Sequence, residues 1–123
     1  MTQTLDQKRA TLAWGFACAG MGQHGKEYKG LAKGAPALIM NSGLMPTLAF
    51  YKGKGPAAQQ LLNDLLAGLT QRLAPQPAPR DFMAFMQMLQ KGESRDYLRY
   101  TDEALELLKW IRQFVDAVDA GDH

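Results

Sequence analysis

Residues 20 to 26 read Gly-Met-Gly-Gln-His-Gly-Lys, the stretch of this 123-residue chain that most invites phosphate chemistry. Gly20, Gly22 and Gly25 fit G-x-G-x-x-G, and Lys26 extends them into the start of a P-loop pattern. Such loops work because backbone N–H groups between a strand and a helix N-terminus wrap the phosphates. Here an amphipathic helical pattern precedes the glycines, and no strand candidate does. Glu27 stands where a magnesium-binding Ser or Thr is required, and its carboxylate would repel the β- and γ-phosphates. The stretch therefore reads as a flexible glycine turn between two helices.

The other reactive residue types have equally ordinary readings. Cys18 is the only cysteine, which excludes an internal disulfide and any Cys-Cys zinc arrangement. Beside His24 and His123 it does not make a metal set: a cysteine in an Ala-rich helix is expected in the core, and a terminal histidine in solvent. Ser42 and Ser94 lie at expected helix ends, where their hydroxyls cap rather than attack. Asp102, Glu103 and Glu106 share a helix with arginines and read as a solvated charged face. The pairs Arg99/Glu103 and Arg112/Asp116 fall at i,i+4 on that face. Neither an enzyme nor a cofactor site is expected, and no metal.

Charge is more informative. The net +2 divides into +5 for residues 1–60 (seven Lys/Arg against two Asp/Glu) and −3 for residues 61–123 (seven against ten). Lys26, Lys29, Lys33, Lys52 and Lys54 have only Glu27 among them, whereas the second half intersperses both signs. They also flank Gly-rich helix ends, where free N–H groups add to the attraction for phosphate. Composition leaves two readings, a solvated face or an anion-binding surface. Trp110, near Leu107 and Phe114, either widens the core or offers a partner-binding patch. Tyr51, beside Lys52 and Lys54, either docks a base or partner or closes the core with its ring. The seven methionines fill the core or line an adaptable groove.

The elements that position these residues are helical throughout. Apolar spacing follows three and four, and no segment alternates over a strand's length. Thr4 and Gln7 make a capping box for a first helix, with Leu5, Leu12, Phe16 and Ala19 on one face. A short piece over 26–33 should follow, then a helix restarting at Pro36 and ending at Asn41-Ser42-Gly43. Leu44 to Tyr51 forms the next, and Pro56 opens one striped by Leu61, Leu62, Leu65, Leu66, Leu69 and Leu73. Residues 75–80 are a stiff Pro-rich linker. Asp81 caps a helix with Phe82, Phe85, Met86 and Leu89 on one face, and Ser94 caps a last one of about 25 residues, roughly 38 Å long. The expectation is all-α: a single domain over 1–123, a compact bundle of six to seven helices with a long C-terminal helix. The run from Leu12 to Gly22 is too short to span about 30 Å of hydrocarbon, and the N-terminus lacks a signal pattern, so a cytoplasmic location without membrane contact is expected.

Three segments resemble one family. Pro36-Ala37-Leu38-Ile39, Asn41-Ser42-Gly43-Leu44 and Thr47-Leu48-Ala49-Phe50-Tyr51 are similar to the signature of the small helical subunit of the type III-B CRISPR RNA-silencing (Cmr) effector complex. The run Tyr100 to Leu105 and Trp110 to Phe114 resembles that family's last helix, and Trp14 with Tyr28, Leu31 and Lys33 fits its beginning. The resemblance implies a non-catalytic subunit of antiviral defence. Several copies would stack along the guide RNA–target RNA duplex, touching one another and the backbone subunits. On electrostatics, the five lysines would meet RNA. If all five met phosphates of one strand, affinity would fall roughly a hundredfold between about 50 and 200 mM salt. Binding by one copy is then weak and sequence-blind, and tethered copies gain from effective concentration. The alternative from another class is a helical protein–protein adaptor with no nucleic-acid role.

Overall fold

The computed structural model describes residues 2–121 and contains six helices and no strand among them. They are α1 (Leu5–His24), α2 (Lys26–Ser42), α3 (Leu44–Lys52), α4 (Pro56–Leu73), α5 (Phe82–Lys91) and α6 (Ser94–Gly121). The 28-residue α6 measures about 42 Å and packs against α1, α2 and α4. Arg9 faces Glu103 and Trp14 faces Phe114, so α1 and α6 run parallel. Lys29 reaches Asp119 and Lys33, one turn further on, reaches Asp116, so α2 runs the opposite way to α6. Gly68 beside Leu107 and Arg72 beside Glu103 set α4 antiparallel to α6 as well. The result is four long helices with α3 as a short return between α2 and α4, and α5 laid across one side.

Local chemistry explains most boundaries. The capping box is present: Gln7 N–H donates to Thr4 Oγ1 at 3.1 Å, and Thr4 N–H donates to Gln7 Oε1 at 2.7 Å. Asp81 caps α5 by accepting from the Ala84 N–H at 2.9 Å. The break between α1 and α2 is a single residue, Gly25, at φ 53° and ψ −127°, a backbone state open to glycine and strained for other residues.

Three expectations change. The helix does not end in a loose glycine turn: α1 continues through Gly20 and Gly22, and only Gly25 leaves helical geometry. The two helices expected over 26–42 are one, with Pro36 inside it. Proline there forfeits a hydrogen bond, but Tyr28, Ala32, Ala35 and Ile39 form one continuous buried stripe, and its packing holds the helix through the proline. At α6 the Glu93 carbonyl accepts from Asp96 and Tyr97, so Ser94 lies inside the first turn rather than capping it.

The buried face of α1 is also not the expected one. Ala13, Ala17 and Gly20 are buried, Leu12 and Phe16 are half-buried, and Leu5 and Ala19 are exposed. Small residues let α1 approach its neighbours closely. At Gly20 the reason is specific: a Cβ would lie 2.5 Å from the Tyr28 ring. That ring is fully buried, and its hydroxyl donates to Asp64 Oδ2 at 2.6 Å. Gln60 Nε2 donates to Asp64 Oδ1 at 2.9 Å. Burial pushes the Asp64 carboxyl up to about 6, with the two donors opposing the shift, and burial first, then Asp64, pushes the Tyr28 phenol higher still. The leucine stripe of α4 behaves as its spacing predicts, with Leu61, Leu62, Leu65 and Leu69 fully buried.

Two stability predictions follow from this core. Gly20→Ala should lower Tm, because the overpacking cost of about 1–3 kcal/mol exceeds the gain of about 0.5–1 kcal/mol from removing a helical glycine. Gly22→Ala, with nothing within 4 Å of its Cβ, should keep that gain and raise Tm. For Asp64, folding raises the pKa from the ordinary 3.8 to about 6, so the folded state binds the extra proton between those values. Stability therefore falls as pH rises through that window. Asp64→Asn should remove this slope and be more stable than the parent at pH 7, on the order of 3 kcal/mol. Below about pH 4 the two proteins should differ little in urea unfolding.

Candidate nucleic-acid interface

The five candidate lysines divide into two groups by what they touch. Lys29 Nζ lies 2.8 Å from Asp119 Oδ2 and 3.3 Å from Asp116 Oδ1, and Lys33 Nζ lies 2.8 Å from Asp116 Oδ2. These lysines do have acidic neighbours, supplied by the antiparallel α6 from more than eighty residues away. The hydrogen bond to Asp119, then that to Asp116, raises the Lys29 pKa, and Lys33, then Lys29, holds the Asp116 carboxyl below its usual range. Asp116 is thus tied to α2, not to Arg112.

The other group makes no ion pair among the described residues. Lys52 Nζ sits 5.4 Å from the Phe82 ring centroid and Lys54 Nζ 5.2 Å from that of Phe50, distances that suit cation–π contact. Lys26 is exposed as the first residue of α2 and has no ion-pair partner among the described residues. Lys52 also lines an open groove of about 600 Å³ between the end of α3, the outer face of α4 and the start of α5. Arg80, from the Pro-rich linker, lines it too and is likewise without an ion-pair partner among the described residues. Asn63, Thr70 and Gln71 form its polar wall, and Phe82 and Phe85 its apolar one. Asp81 is its one acid, with Oδ1 turned back to the Ala84 N–H.

Sequence reasoning passed over Arg80 and the polar face of α4. The signal was there: Asn63, Ala67, Thr70 and Gln71 recur at helical spacing on the side away from the leucines. Tyr51 is corrected. Its ring is fully buried, which takes it off any partner surface; burial pushes its phenol up to about 12, and its hydroxyl has no hydrogen-bond partner among the described residues. Trp110 is half-buried, with its indole nitrogen inside and its ring 5.7 Å from Phe114. Phe114 in turn meets Trp14 edge-on at 5.1 Å, and Trp14 is 48% exposed. The three rings make an aromatic patch along the α1–α6 seam.

The carboxylates of α6 also need correction. Glu103 is not solvated beside Arg99 but 5% exposed, taking two 2.8 Å hydrogen bonds from Arg9 Nε and Nη2. Arg72 Nε stands 3.6 Å away, and Arg9 holds the Glu103 carboxyl below its usual range, with burial opposing. Glu106 receives a longer contact from Arg9 at 3.5 Å, and Asp102 remains exposed. Cys18 is exposed, not in the core. No group of three His, Cys, Asp or Glu suited to a metal occurs among the described residues, and His123 lies outside them. No helix among the described residues is long and apolar enough to cross a membrane.

A helical bundle with a cation-lined groove and an aromatic seam does not by itself name a family, so sequence comparison decides it. The family described as CRISPR-associated protein (Cas_Cmr5) matches residues 5–118. This chain belongs to the Cmr5 family. Among solved structures, it is similar to a CRISPR-associated Cmr5 family protein from Thermus thermophilus, with 29% sequence identity and a TM-score of 0.77. That match covers 95% of this chain and 98% of the Thermus chain. No curated protein matches the sequence. The match over 5–118 includes Pro36 to Tyr51 and α6 up to Val118, the segments that carried the resemblance to the type III-B Cmr small subunit. The chain is a CRISPR-associated Cmr subunit, and its lysines sit in unlike settings.

That difference predicts different variant behaviour. Reversing Lys29 and Lys33 together to Glu puts like charges against Asp116 and Asp119 and should lower Tm in a thermal melt. Because the pairs are partly exposed, raising salt should recover much of the loss. Reversing Lys52 and Lys54, which face rings rather than acids, should leave Tm nearly unchanged.

Proposed function

We propose that this chain is a non-catalytic small subunit of a type III-B Cmr effector particle, several copies of which lie along the guide RNA–target RNA duplex in the cytoplasm. Membership of the Cmr5 family is the observation that carries this reading. Cations without an ion-pair partner among the described residues support one surface as the RNA-facing one. Lys52, Lys54 and Arg80 lie around one end of α3 and the linker before α5, and Lys26, at the start of α2, is a further cation with no ion-pair partner among the described residues. Lys29 and Lys33, already matched by α6 carboxylates, contribute little to that field. Phosphate contacts of this kind fix position without reading sequence.

The protein-facing side is the aromatic patch of Trp14, Phe114 and Trp110, whose ring composition is that of interface centres. Copies of the chain and the backbone subunits of the particle are its proposed partners. In this reading the chain's role is to hold RNA and protein in register.

Salt-dependent anisotropy with a labelled single-stranded RNA tests the assignment. Changing Lys26, Lys52 and Lys54 together to Glu should flatten the dependence of log K on log salt by about 2, whereas the Lys29/Lys33 double variant should keep the parent slope. Trp14→Ala should keep the slope but lose co-purification with the particle. An unchanged slope in the triple variant would remove these lysines from the RNA surface, and a protein-only particle from the native host would favour the adaptor reading.

A further inference from the structure

The groove beside α5 has features that tracking a phosphate backbone does not require. Cations alone suffice to follow phosphates. Here Lys52 and Arg80 share a concavity with an aromatic ring, Phe82, and with two side-chain amides, Asn63 and Gln71. At about 600 Å³ the groove is well within the usual range for a small-molecule site.

We propose that this groove receives one unpaired RNA nucleotide, its base stacked on Phe82 and its phosphate drawn to Lys52 and Arg80. The proposal rests on reading the chain as an RNA-contacting subunit and adds the form of RNA it holds. Three observations support it. First, the charge is complementary: the single acid in the groove, Asp81, has Oδ1 committed to its own helix at 2.9 Å from the Ala84 nitrogen. Second, the amides are available. Asn63 Oδ1 accepts from Gln59 Nε2 at 2.9 Å, which leaves the Asn63 NH2 free to donate to a base edge, and Gln71 is exposed on the same wall. Third, the Lys52 ammonium rests over the Phe82 ring at 5.4 Å, the kind of face on which a base stacks. An arriving base takes that face, and the displaced ammonium moves to the phosphate. Ring and cation then serve one nucleotide.

A paired base has both faces covered by its neighbours, so a duplex alone does not fill the groove. An extruded or single-stranded nucleotide does, and since every base has a π-face the site stays blind to sequence. An acidic peptide would use the two cations but not the ring face and the amide edges together.

The test compares a short single-stranded RNA with the same backbone carrying abasic positions, by anisotropy with the full chain. The base-bearing strand should bind about tenfold more tightly, the contribution of roughly one stacked base. Phe82→Leu, which keeps apolar bulk without the ring, should abolish that preference, while Phe82→Tyr should retain it. Lys52→Glu and Arg80→Glu should weaken both strands alike. Equal binding of the two strands by the parent, or a preference that survives Phe82→Leu, would overturn the groove assignment. If salt-sensitive binding persisted in either case, the RNA-contacting role would stand without it. Absence of RNA binding by the parent would overturn both. Groove variants that bind RNA normally but leave the assembled particle would assign the groove to a protein neighbour, again overturning the proposal.

Discussion

Glu103 is a nearly buried carboxylate in the middle of the longest helix, held by a two-pronged Arg9 and approached by Arg72. Burying a charge of either sign in an apolar bundle costs several kcal/mol, and only close, well-directed partners offset it. That requirement allows little sliding. A shift of one turn along α6 would leave Glu103 without its guanidinium and place an unpaired charge in the core. The contact therefore sets the register of α1, α4 and α6 together, and other positions follow from it. Trp14 meets Phe114, Gly68 comes beside Leu107, and α2 lies with Lys29 and Lys33 over the last acids of α6.

What could be read in advance was local. The leucine stripe of α4, the caps at Thr4 and Asp81 and the length of α6 are written within a few residues of where they act. Misreadings came where the deciding partner is distant. Pro36 reads as a helix start until the buried stripe from Tyr28 to Ile39 is known to face one core. Ala13, Ala17 and Gly20 look like filler beside Leu5 and Phe16, yet close approach of a neighbouring backbone or ring favours the small residues. Glu103 looks solvated because Arg99 is its neighbour in sequence, whereas Arg9 is its neighbour in space.

The candidate surface shows the same division. Seven basic residues in the first half set a charge asymmetry along the chain, but charge counts omit pairing across the bundle. Two of the five lysines neutralise α6, whereas Lys52 and Arg80, with no ion-pair partner among the described residues, line one groove beside α5. The polar wall of α4 supplies the rest of that site from residues that look like an ordinary solvated helix face.

The parallel pairing of α1 with α6 joins residues 94 apart, Arg9 and Glu103. A ribosome makes the chain from α1 onward, and at roughly 5–20 residues per second the partner follows some 5–20 s later. Through that interval the small-residue face of α1 and the Arg9 guanidinium have no α6 to close over them. α2 and α4 can assemble around Tyr28 and Asp64 first, forming a platform that waits for its last helix. Vectorial synthesis thus makes α6 the closing element, and a chain stalled before Glu103 would present an open seam to chaperones.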